Sequence, residues 1–137
     1  CVEDSVSDPI RNERGSISGF VVVLSMTFVA CAGLAFDGGR MIAARAEATD
    51  AAENAARAGA QQVTSLRSGN PIIDKSAATI SANRFLETIG ITGVATADEN
   101  SVTVTTNIKV PMILLGIFGV RDKSVSAVRS AQPFTSP

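Results

Sequence analysis

From Ser16 to Phe36 the chain reads SISGFVVVLSMTFVACAGLAF, without one Asp, Glu, Lys or Arg. At ~1.5 Å of rise per residue, a helix of this length spans roughly 30 Å, the thickness of a bilayer's hydrocarbon layer. Charge returns at once on both sides, at Arg14 before the run and at Asp37 and Arg40 after it. The pattern predicts a transmembrane helix over 16–36, a short N-terminal tail or leader over 1–15, and a domain in water over 37–137. A signal peptide is the main alternative, with an apolar core of about 7–15 residues and a small-residue cleavage site. This run is longer, so a retained anchor is expected, while the small residues of Ala32–Phe36 keep cleavage there as the rival reading. A buried core helix fits less well, because a small domain rarely covers every face of one helix.

The rest of the composition excludes more than it suggests. The 137 residues carry a net charge of −1, so no basic field calls for nucleic acid. There is no His, which removes the commonest general base and metal ligand, and with it any Ser-His-Asp triad. Asp37-Gly38-Gly39 is not followed by the Gly-Lys-Ser/Thr of a phosphate loop. Asp98-Glu99 falls in an expected turn, where solvated charge is the ordinary explanation. No catalytic residue, cofactor or metal is therefore expected, and the chain does not read as an enzyme. Cys31 lies inside the apolar run and behaves there as a small hydrophobe. Cys1 stands alone in a polar tail and reads as an unusual or truncated start, or else as a lipid-modified one.

Past the anchor, Asp37-Gly38-Gly39-Arg40 marks the expected water boundary, with two glycines that permit a bend. Met41–Leu66 is rich in Ala, Glu, Arg and Gln and predicts a helix, either continuous with the anchor or following it. Ala44, Ala48, Ala51, Ala55, Ala58 and Gln62 fall near one face. That stripe reads equally as a close-packing surface or as part of a solvated helix. Ser68–Pro71 signals a turn. A second helix is predicted over Asp74–Ile89, with Ala77, Ile80, Phe85 and Ile89 at apolar positions, Ala78, Ala82 and Leu86 beside them, and Gly90 to end it. Alternating β-branched residues then predict strands over Val94–Ala97, Ser101–Val110 and Lys123–Ala131, the first two joined by a turn at Asp98–Asn100. The fold class is thus α+β: an apolar helix, an Ala-rich helix, a second helix and a small antiparallel sheet. Between the last two strands lies VPMILLGIFGV, residues 110–120, oily but too short to cross a bilayer. It reads as a buried loop filling the core, or as an exposed apolar contact with membrane or partner. Pro111, Gly116 and Gly119 argue against a regular helix there.

Arg14-Gly15 directly ahead of an apolar segment resembles the processing region of type IV prepilins. The longer run from Glu13 to Gln61 resembles, more narrowly, TadE/TadG-like pilus-assembly proteins of actinobacterial type. Its matching features are an Arg-Gly-Ser start, a charge-free helix, Asp37–Arg40, and the Ala-Arg-Ala-Gly-Ala of Ala56–Ala60. The resemblance implies a pilin-like fold and a single-pass, pseudopilin-like subunit of a type IV filament or secretion apparatus. It implies a cytoplasmic N-terminus and an extracytoplasmic C-terminal domain, in the cell membrane or in a surface filament. It also implies cleavage by a prepilin peptidase between Gly15 and Ser16, with Arg14 as the preceding basic residue. The expected partners are membrane lipid and other pilin-like subunits or the assembly platform. Many pilins carry Glu at the fifth mature position; here Phe20 stands there, and an uncleaved accessory role is kept beside processing. The domain's size favours a minor pilin over a major one. An anchored binding module outside any filament is the alternative.

Independently of the resemblance, Ser18, Ser25, Ala32, Gly39 and Ala46 recur every seventh residue. Small residues on one seam let helices approach closely in lipid. This seam reads equally as a surface for packing against another single-pass helix or as chance clustering of the abundant Ala, Gly and Ser.

Overall fold

The computed structural model describes residues 13–64 and 71–133, with side chains from Ile17 onward. The tail before Glu13, the segment 65–70 with most of the expected Ser68–Pro71 turn, and residues 134–137 lie outside the described residues. The elements are α1 (Glu13–Ala60), β1 (Val63–Thr64), β2 (Ile72–Ile73), α2 (Lys75–Ile89), β3 (Thr92–Ala97), β4 (Val102–Val110), a 3-10 turn (Leu115–Phe118) and β5 (Lys123–Ala131). The class is α+β, with a long N-terminal apolar helix, a second helix and small antiparallel sheets.

α1 is a single helix of 48 residues, about 72 Å long. The Ala-rich segment is therefore continuous with the apolar one, and the helix passes through Gly38-Gly39 without interruption. It ends at Ala60, short of the expected Leu66, because the next residues are claimed by strand pairing. Val63 and Thr64 oppose Ile73 and Ile72, and the Asp74 N–H donates to Gln62 O at 2.9 Å.

The C-terminal half of α1 is the spine of the domain. Its alanine stripe is a packing face, burying Ala44, Ala48, Ala52, Ala55, Ala56 and Ala60. Ala58 and Gln62, expected on that face, lie beyond its edge. Small residues bring neighbouring backbones close. A Cβ added to Gly59 would sit 2.9 Å from Ala78 O of α2 and 3.0 Å from Val102 Cγ1 of β4. The buried Thr106 hydroxyl donates to Ala48 O at 2.7 Å and ties β4 to the helix.

α2 begins at the Asp74 cap, whose carboxylate accepts from the Ala77 N–H at 3.1 Å. It ends at Gly90, which takes the left-handed conformation at φ 72°. Its buried face is Ala78, Ala82 and Leu86. Ile80 and Ile89, expected inward, are exposed, because α2 turns Ala78 and Ala82 to the alanine face of α1, with Leu86 the one large side chain buried on that side.

The sheet is β3-β4-β5, antiparallel throughout. β3 starts at Thr92, two residues before the expected Val94, and the turn at 98–101 closes with Asp98 N–H donating to Ser101 O at 2.8 Å. β4 runs antiparallel to α1. Its start, Val102, lies by Gly59, its middle, Thr106, by Ala48, and its end, Val110, in the cluster with Ala44. The β4–β5 connection is thereby delivered to the apolar end of the spine.

Replacing Gly59 with Val should destabilise the detergent-solubilised chain by ~1–3 kcal/mol through overpacking. Gly38→Ala, whose added Cβ would meet nothing within 4 Å, should leave the denaturation midpoint unchanged or slightly raised. The two midpoints, compared in denaturant titrations, check the expectation.

Candidate functional site: the exposed helix and the Asp37 clamp

From Ile17 to Ala32 every residue of α1 is exposed. The most apolar 18-residue window has a mean hydropathy of 2.2 and is only 6% buried. A core helix of the same composition would be mostly covered, so this half of α1 is apolar surface with nothing of its own domain on it. Among the described residues it is the one helix long and apolar enough to cross a membrane. Its polar side chains are turned back on the helix: Ser25 Oγ donates to Val21 O at 2.8 Å and Thr27 Oγ1 to Val23 O at 2.9 Å. Such bonds satisfy a hydroxyl where no water is available.

The domain first touches α1 at Gly33, where an added Cβ would lie 3.2 Å from Leu114 Cβ. One turn on is Asp37, 1% exposed. Its Oδ2 accepts the N–H of Leu115 at 2.7 Å and of Leu114 at 3.0 Å, and its Oδ1 accepts that of Ile113 at 3.3 Å. These amides open the 3-10 turn, so a helical side chain caps an element far away in sequence, in the way a local N-cap residue caps its own helix. Arg40 adds a bond from Nη1 to Pro111 O at 2.8 Å. Met112 is buried against Ala44, Val110 and Val125, with Leu115 packed on them. The Asp37–Arg40 element, read in sequence as a water boundary, is thus a clamp on segment 111–120. Nothing local in the sequence announces it, since both partners lie over seventy residues away.

Segment 111–120 itself is only partly core. Met112 is inside, whereas Ile113, Ile117 and Phe118 are 55%, 79% and 61% exposed. Of the two readings of this oily run, burial in the core holds for Val110 and Met112, and most of the rest is exposed.

The expected seam residues Ser18, Ser25, Ala32, Gly39 and Ala46 are all exposed. At ~100° per residue a strip of every seventh residue drifts by ~20° per repeat, so Gly39 and Ala46 fall roughly opposite Asp37 and Ala44, while Ser18 and Ser25 lie where α1 is exposed all round. Arg14, Gly15 and Ser16 fall in the first turn of α1; what precedes Glu13 lies outside the described residues. Cys31 is a free, exposed thiol in the apolar half. No group of three His, Cys, Asp or Glu side chains suited to a metal ion occurs among the described residues.

Replacing Asp37 with Ala strands three amides. Hydrogen bonds to a charged group contribute about 1.5–3 kcal/mol each and do not add fully. Amide exchange at Leu114 and Leu115 should accelerate by roughly 30-fold or more, the equivalent of ~2 kcal/mol, while the amides of β4 keep their protection. Exchange measured by NMR or mass spectrometry on the full chain checks this.

Residues 15–62 match the model of a family described as "Putative Flp pilus-assembly TadE/G-like". The matched segment is nearly coextensive with α1 and contains both Asp37 and Gly59. No curated protein and no solved structure matches the chain.

Proposed function

We propose, from the TadE/G-like match over residues 15–62, that the chain is a single-pass membrane subunit of a tight-adherence type pilus or secretion apparatus. The family points to a Flp/Tad pilus-assembly role. The finer reading is a minor, pilin-like subunit of actinobacterial type that works by helix packing and assembly, without catalysis. One observation carries it: the matched segment is a single helix, apolar and uncovered in its first half and the spine of the domain in its second. A helix of this kind joins a lipid-embedded segment rigidly to a projecting domain, which suits a subunit stored in a membrane until assembly. The same continuity supports retention over removal of the helix as a signal peptide, since cleavage within Ala32–Phe36 would cut the helix at Gly33, where Leu114 packs.

In this reading residues 16–36 cross the cell membrane, the N-terminus is cytoplasmic and the domain over 37–137 is extracytoplasmic. A prepilin peptidase cuts between Gly15 and Ser16 after Arg14. The seam Ser18, Ser25, Ala32, Gly39 and Ala46 packs against a helix of another pilin-like subunit or of the assembly platform. The exposure of all five residues supports that role.

Phe20 favours a second reading, an anchored binding module outside any filament. A carboxylate near the mature N-terminus would pair with a neighbour's amine at a defined register, and the described part of the span has no acid before Asp37.

Mass spectrometry of the mature protein separates the two. A chain beginning at Ser16, together with loss of pili on gene deletion, is expected; an unprocessed chain with pili intact after deletion would favour the binding module. For the seam, Ser25→Leu combined with Ala32→Leu should reduce crosslinked dimers or heteromers in membranes, and unchanged crosslinking would remove the seam from the account.

A further inference from the structure

Segment 111–120 has a chemistry that the reading above does not use. It displays Ile113, Ile117, Phe118 and Val120 outward, the last 37% exposed, within ten residues. An apolar cluster of this density on a domain in water marks a contact with something apolar. Its position on α1 decides what. Leu114 packs at Gly33 and the amides of Ile113 to Leu115 bond to Asp37. The segment therefore lies beside the last turn of the charge-free run, at the level of Leu34 and Phe36, themselves 63% and 53% exposed. Loop and helix end thus carry exposed apolar side chains at the same level of α1.

The polar groups around it fit a bilayer surface. Lys109, Arg121 and Lys123 are exposed where the segment joins β4 and β5, with Asp122 the one acid among them. Lys123 faces Val110 and Lys109 faces Ser124 in the sheet register, so these two cations sit at the sheet end of the segment, with Arg121 directly after the segment in sequence. Irregular backbone near hydrocarbon also needs its amides satisfied. Asp37 takes three, and Ile117, Gly119 and Val120 N–H groups bond within the segment to Leu114, Gly116 and Leu115 carbonyls.

We propose that segment 111–120 seats in the interfacial layer of an anionic membrane. Ile113, Ile117, Phe118 and Val120 reach the top of the acyl chains, Lys109, Arg121 and Lys123 lie at the headgroups, and the Asp37 clamp fixes the depth. The inference rests on residues 16–36 being a membrane anchor, and it makes the attachment two-pointed, which limits tilt and rotation of the domain. A second copy of the chain is the competing occupant.

The chain has no Trp or Tyr, so a single introduced Trp reports one place. Full-length Phe28→Trp, Phe118→Trp and Ile80→Trp are reconstituted in phosphatidylcholine/phosphatidylglycerol vesicles, with bromines either shallow or deep on the acyl chains. Trp at 118 should be blue-shifted and quenched roughly twofold more by shallow bromine than by deep. Trp at 28 should be quenched more by deep bromine, and Trp at 80, on exposed α2, by neither. Adding Asp37→Ala should abolish quenching at 118 and leave it at 28. Quenching at 28 with none at 118 overturns the inference and spares the anchor; no quenching at 28 overturns the anchor itself. A blue shift at 118 that grows with protein-to-lipid ratio, without bromine quenching, overturns the inference in favour of a second copy. Unchanged quenching at 118 in the Asp37→Ala chain overturns the clamp's part in it.

Discussion

A carboxylate at the point where an apolar stretch of helix turns polar has few stable places. Facing hydrocarbon it would be costly, and facing water it would hold nothing. Asp37 takes a third course: it points into its own domain and accepts three amides from a segment that arrives from the far end of the chain. The rest of the membrane-side architecture depends on this. Arg40 and Met112 add to the same junction, and the β4–β5 connection is held against α1 at Gly33 instead of swinging free. A buried acceptor for backbone donors is also directional, so it sets the height of the loop on the helix as well as its attachment.

Above that junction the domain is built by close approach more than by bulk. Alanines bury little apolar area each, yet they let α2 and β4 come within contact of the helix backbone, as the space around Gly59 shows. Gly93 plays the matching part in the sheet, where an added Cβ would lie 2.7 Å from Leu86 Cδ1. Larger side chains are then needed only at intervals: Leu86, Val102 and Val104 fill what the small ones leave. Below the junction the same helix is uncovered and apolar all round. One continuous helix thus has an uncovered apolar half and a clothed alanine-rich half, and its continuity carries the position of one to the other.

Much of this was legible in the sequence because it is local. A run without charge, an Ala-rich propensity, the stop at Gly90 and the alternation of β4 and β5 each declare themselves within a short window. What escaped was set by distant partners. The end of α1 at Ala60 depends on strand pairing with Ile72 and Ile73. Which face of α2 turns inward depends on the size of what it meets, so Ala78 and Ala82 win over the larger Ile80. Asp37 reads locally as a boundary charge because its partners are over seventy residues away, and whether segment 110–120 lies inside or outside is set by that same distant clamp.

The matched family segment and the described helix coincide, so the TadE/G-like resemblance and the physical reading concern the same object: a helix uncovered where it is apolar and clothed where it is alanine-rich. The account requires that uncovered half to live in lipid permanently. Extraction of cell membranes with alkaline carbonate, followed by immunoblotting against the C-terminal domain, tests this most directly. The domain should remain with the membrane pellet and enter solution only with detergent; its release into the carbonate supernatant would contradict the account.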